Sequence, residues 1–174
     1  MAQLIQRAIN PQVFIDASTI DLVGDDLVAE FEPDWTHNGL LDAAPAGDAV
    51  RILCGQEIGT ASVTAELWDG PPQLNTGDWQ DIAELSVVWP SSLMDFGTTG
   101  SNGSDMLELA GADDYRVRVY GRNRDGGDPR DDTDPVEEYL IQTWPAAPPN
   151  IAGTGTAVTY KQTSQLGTRY REER

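Results

Sequence analysis

Residues 115–122 alternate between two chemistries. Tyr115, Val117 and Val119 hold one set of positions, and Arg116, Arg118, Tyr120 and Arg122 hold the other. A period of two sends successive side chains to opposite faces of an extended chain, so this segment reads as a β-strand with one buried and one wet side. Shorter runs rich in β-branched and aromatic residues recur along the sequence, at 13–18, 27–32, 49–54, 61–68, 82–89, 106–109 and 137–144. Gly, Pro, Asn and Asp clusters separate them, and Pro33, Pro90 and Pro145 close three of them, because proline cannot donate to a ladder. Helical periodicity is weak throughout. The pattern predicts an all-β protein, an antiparallel β-sandwich of seven to nine short strands.

The 174 residues suit one main domain, assigned here to residues 1–147. Pro145-Ala146-Ala147-Pro148-Pro149-Asn150 reads as a stiff connection. Residues 148–174 are then a Pro/Gly linker and an extended C-terminal arm, in which 156–163 is either a last strand or part of the arm. Residues 91–104 read as a Gly/Ser/Thr-rich loop, too poor in cations to cradle a phosphate. No period of 20–50 residues is present, which excludes solenoids and propellers.

Charge is the second constraint. The chain holds 29 acidic and 11 basic side chains, a net of −18. Residues 8–115 contain 20 acids and a single base, Arg51, whereas residues 116–174 contain 9 of each sign. Such a field repels phosphate backbones and anionic lipid, so neither nucleic acid nor membrane is expected as a partner, while a basic protein surface is. Solubility of a small domain needs a net charge of only ~2–8. The N-terminal segment lacks the apolar core of a signal peptide, and the single cysteine, Cys54, lies in an apolar run as a buried, inert thiol. Both features point to the cytoplasm.

Catalytic chemistry finds little to work with. His37 is the sole histidine and reads as a turn residue, since no Gly-x-Ser-x-Gly elbow supplies a nucleophile. No cofactor is implied, and one His with one Cys cannot build the usual structural zinc site. The Asp-rich stretch 125–134 reads first as a solvated hairpin loop. Its alternative is calcium, with Asp128, Asp131, Asp132 and Asp134 as the oxygen donors. Five tryptophans on a β-sandwich raise a sugar-binding platform as a further alternative. Trp35 and Trp79, in polar Asp-Trp turns, are the two expected at the surface.

Residues 115–122, the Asp-rich loop and Glu137-Glu138-Tyr139-Leu140-Ile141-Gln142-Thr143-Trp144-Pro145-Ala146 resemble a group of uncharacterised bacterial β-sandwich proteins ending in a similar strand. That resemblance spans about residues 59–147 and implies a fold without an activity. The layout is also similar to the acidic competence proteins that inhibit a nuclease, through the early strand 13–18, the Asp-Trp turn and an acidic strand pair near the end. It implies a binding role. The expectation is a non-catalytic acidic module, of inhibitor or immunity type, that engages a basic partner. Asp25, Asp26, Glu30, Glu32, Asp34 and Trp35 form the first candidate surface, carboxylates around an aromatic anchor, and Asp113 and Asp114 the second. The rival reading is a subunit of a larger, virus- or phage-like assembly that forms homo-oligomers through the C-terminal arm.

Overall fold

A computed structural model describes residues 1–24, 30–96, 106–111, 113–127, 136–146 and 157–169, with the backbone alone of Asp113. Eleven strands and one short helix follow along these residues: β1 Leu4–Ile15, β2 Thr19–Val23, β3 Leu41–Ala43, β4 Ala49–Leu53, β5 Gly59–Trp68, β6 Asp81–Trp89, β7 Leu93–Asp95, β8 Met106–Glu108, β9 Asp113–Arg122, β10 Glu138–Pro145, β11 Val158–Gln162 and α1 Gln165–Arg169. They form a six-stranded sheet in the order β1-β5-β10-β9-β6-β11 and a five-stranded sheet in the order β3-β4-β2-β7-β8. The all-β sandwich read from the sequence is thus the fold observed. One pair departs from the antiparallel rule, since β10 runs parallel to β5.

Alternation decides which residues fill the space between the sheets. Ala61, Val63, Ala65 and Leu67 of β5, Ala83, Leu85 and Val87 of β6, and Val117 and Val119 of β9 point inward from the large sheet. Ile20, Leu22, Val50 and Ile52 meet them from the small one. Each of the valine, leucine and isoleucine side chains contributes about 1.5–3 kcal/mol when fully withdrawn from water.

Several expectations need correction. The strand expected at 13–18 begins nine residues earlier, and Ala17 and Ser18 form a turn with positive φ. Its first half escaped the pattern because bulges between Leu4 and Gln6 and between Asn10 and Val13 shift the alternation, leaving Ile5 and Ile9 exposed. Of the strand expected at 27–32, residues 30–32 are irregular, and 25–29 lie outside the described residues. The supposed loop 91–104 contains β7 at its start. The strands β2 and β3 carried no signal, being only five and three residues long. Residues 158–162 adopt the strand alternative, pairing antiparallel with β6 at the edge of the large sheet.

The outward face of β9 is not wet. Arg118 and Tyr120 are buried. Trp79, from the segment between β5 and β6, packs on Tyr120 at 5.6 Å, and the Pro72 carbonyl accepts a hydrogen bond from Arg118 at 3.1 Å. Trp144 and Tyr160 present their rings to the same guanidinium at 5.0 and 5.5 Å. An arginine tolerates such cover because Glu84 neutralises it and aromatic faces accept its flat cation.

One end of the sandwich is closed by a wholly buried arginine. Arg124 pairs with Asp81 and donates to the carbonyls of Gly39 at 2.8 Å and Leu53 at 2.7 Å. Asp81 in turn accepts the hydroxyl of Ser164, just before α1, so the C-terminal segment is tied to the same point. Burial works against the Arg124 charge, but Tyr139 and Asp81 outweigh it and hold the guanidinium above its ordinary pKa.

Candidate functional site

The outer face of the small sheet is built by register. Asp21 of β2, Arg51 of β4 and Asp42 of β3 stand opposite one another, one residue out of phase with the inward Ile20, Leu22, Val50, Ile52 and Leu41. The same parity puts Asp95 of β7 beside Val23, and Glu108 of β8 opposite Leu93. Among the described residues, four carboxylates of the strands therefore share this face with one cation. That cation is already engaged: Arg51 Nε donates to Asp21 at 2.8 Å.

The segment before β3 lies over the same face. Phe31 sits 5.0 Å from the Arg51 guanidinium, and its carbonyl accepts from Arg51 at 3.1 Å. Glu30 and Glu32, on either side of it, are exposed. The Asp34 amide donates to Asp42 at 2.7 Å, and the Asp34 carboxylate accepts the amide and hydroxyl of Thr36. His37 Nε2 lies 3.4 Å from that carboxylate, with both groups about half exposed. Trp35 is half-buried, as is Trp79 on the opposite side of the molecule. Seven carboxylates, those of Asp21, Glu30, Glu32, Asp34, Asp42, Asp95 and Glu108, thus lie on one side of the sandwich among the described residues, with Trp35 next to Asp34 in the loop.

The loop is held at its base. The side-chain oxygen of Asn38 accepts the amides of Leu40 and Leu41, both at 2.8 Å, and the Gly39 amide donates to the Trp35 carbonyl. Gly39 has φ +65°, and a Cβ there would strike the Gly167 carbonyl of α1. Gln162 donates to the Asn38 carbonyl at 2.9 Å. The acidic loop is therefore clamped between Arg124 and the C-terminal segment.

The first candidate surface is brought together for Glu30, Glu32, Asp34 and Trp35, while Asp25 and Asp26 lie outside the described residues. The second is separate. Asp114 pairs across from Val88 on the other sheet and lines a shallow groove of about 220 Å³ with Ala43–Gly47 and Ala146. The side chain of Asp113 is not described. Asp128, Asp131, Asp132 and Asp134 also lie outside the described residues, among which no metal-binding cluster of His, Cys, Asp and Glu occurs. Sequence reading missed Asp21, Asp42, Asp95 and Glu108. Their strands are too short to show a period, so only pairing reveals their shared face.

The opposite face differs in kind. The outer side of the large sheet carries Arg7, Arg116, Arg118 and Arg122, each paired with Glu66, Glu84 or Glu138. Its ion pairs are closed within the sheet, whereas the small sheet presents a surplus of carboxylate. Cys54 is buried, and burial pushes its thiol well above the ordinary range. No described helix is long and apolar enough to cross a membrane.

The fold and this surface define a β-sandwich with one anionic outer face. No protein-family model matches the chain, and no curated protein matches its sequence. Among solved structures it is similar to ComJ, inhibitor of the DNA degrading activity of NucA, from Bacillus subtilis. The TM-score is 0.56 at 10% identity, covering 84% of this chain and 99% of that one. The product described as crocagin biosynthetic gene J aligns with a TM-score of 0.48 at 15% identity, covering 82% of this chain and 100% of that one. The likeness to ComJ is one of fold, and at that level it agrees with the resemblance read from the sequence.

Proposed function

We propose that this protein is a non-catalytic binding module of inhibitor or immunity type, which presents the outer face of its small sheet to a basic surface on another protein. The observation that carries this reading is the gathering of seven carboxylates on one face, beside a loop that carries a half-buried tryptophan, with the face's one arginine among the described residues already paired. Carboxylates steer a cationic partner and set its orientation, and an aromatic anchor beside Asp34 supplies apolar contact. A loop fixed before binding loses little entropy on binding, and the clamp on 34–40 serves that end. Enzymes that act on nucleic acid present basic surfaces to phosphate, so an anionic face competes for the same ground. The shared fold with a nuclease inhibitor supports choosing a nuclease as the partner class.

The test is capture from lysate at low salt on the immobilised protein and on Glu30→Lys/Glu32→Lys/Asp34→Lys. A 1 M salt wash then follows, at which the Debye length is about 3 Å. The expected result is a basic protein released by salt from the wild type and absent from the variant, whose nuclease activity falls on adding wild-type protein. Retention by the triple variant, or indifference to salt, would rule the reading out.

A further inference from the structure

We propose a second interaction surface, unrelated to the acidic face: the edge of β1 between Leu4 and Ile9, which has no strand neighbour beyond it among the described residues and pairs antiparallel with the same edge of a second copy of this chain. The small sheet ends in β3 and β8, each only three residues long, and the other edge of the large sheet, β11, has five. Short edges offer little to a passing strand. β1, with twelve residues, is the exception, and its partner on one side is β5. An edge strand turns alternate N–H and C=O groups outward, and past the bulge at Ile5 neither a register shift nor a proline interrupts them along Gln6–Asn10. Beyond, a second bulge and Pro11 end the run, and the Gln12 amide is satisfied by the Asn10 side chain at 2.9 Å.

The outward side chains match this role. Ile5 and Ile9 are 60% and 57% exposed and flank Arg7 on the outer face, with Leu4 also exposed. Charge selects the occupant. Residues 1–15 contain no carboxylate, in a chain of net −18. Two copies therefore meet here without apposing their acidic faces, whereas a basic partner has nothing to recognise. Arg7 lies within 2.7 Å of Glu66 on the neighbouring strand. A two-fold axis at this edge brings the Arg7–Glu66 pair of one copy beside that of the other, a self-complementary arrangement. The two six-stranded sheets become one continuous sheet.

The experiment is light scattering behind size exclusion over a range of protein concentrations, on the wild type and on Ile5→Lys/Ile9→Lys. Both substitutions are at exposed positions, and circular dichroism and melting confirm that the variant is folded. The wild type is expected to double its mass from 18.9 kDa as concentration rises, and more readily in 1 M salt, where repulsion between acidic bodies is screened. The variant is expected to stay at one copy. Hydrogen exchange should show amides of Leu4–Ile9 gaining protection only in the two-copy form. A wild type that remains single at every concentration, or a double variant that still pairs, overturns the proposal. The acidic-face reading predicts the opposite salt dependence and is untouched by these substitutions, so the two fail independently.

Discussion

Arg124 shows how much one side chain can organise. It is the sole cation at the closed end of the sandwich among the described residues, and it joins β6, the end of β4, the acidic loop and the segment before α1. Removing one member of a buried ion pair leaves the other uncompensated, so Asp81→Asn should lower stability by about 3–5 kcal/mol, read from urea unfolding. A second prediction concerns pH. Burial pushes the Cys54 thiol and the Tyr139 phenol above their ordinary values of 9.0 and 10.0. Folding then favours the neutral forms, a contribution complete below the unfolded pKa values and lost as pH climbs past them. Stability should decline from about pH 9 upward, and Cys54→Ala should flatten the earlier part of that decline. A wild type equally stable at pH 8 and pH 11 would contradict this. In the native state Cys54 should also resist thiol reagents that label it once unfolded.

At the scale of elements, the C-terminal segment carries more than its length suggests. α1 has five residues and cannot persist alone, yet Leu166 is buried and Ser164 caps the Gly167 amide at 2.7 Å. Leu166→Ala should cost about 2–5 kcal/mol, as a core truncation does. Because Gln162 and Gly167 touch the acidic loop, the same change should raise hydrogen exchange at residues 34–40. Unaltered exchange there would show that the loop holds its shape without α1. Gly39→Ala acts from the other side: φ +65° and the Gly167 carbonyl both oppose a Cβ, and a loss of about 1–3 kcal/mol is expected in thermal melts. The long strands β5, β6, β9 and β10 were legible from their alternation. Of the three-residue strands, β8 fell within the run read at 106–109, but β3 and β7 did not show, since three residues contain no period to read.

For the whole molecule, the decisive property is the separation of charge between two outer faces. The large sheet pairs its arginines internally, and the small sheet leaves its carboxylates in excess. Association through the small sheet should therefore weaken steeply with salt, and reversing Glu30, Glu32 and Asp34 should slow association more than it speeds dissociation, as stopped-flow mixing would reveal. A variant altered at Asp114 should bind as the wild type does, because that residue lies on the other sheet. Loss of binding in Asp114→Lys alone would move the interface to the groove beside Val88.

Alternation and punctuation in the sequence were sufficient for the β class, and simple counting showed that the first two-thirds of the chain is acidic. Both are properties of neighbours along the chain, where a two-residue period and a proline act locally. Which carboxylates stand together was settled only by folding. Asp21, Asp42, Asp95 and Glu108 come from four short strands, and their common face depends on hydrogen-bonded register between segments far apart in sequence. The cover over Arg118 and Tyr120 arose the same way, from Pro72, Trp79 and Tyr160 arriving across the sheet. Charge composition is additive and can be summed from letters, but burial and pairing are contacts, and a contact exists only once the chain has closed on itself.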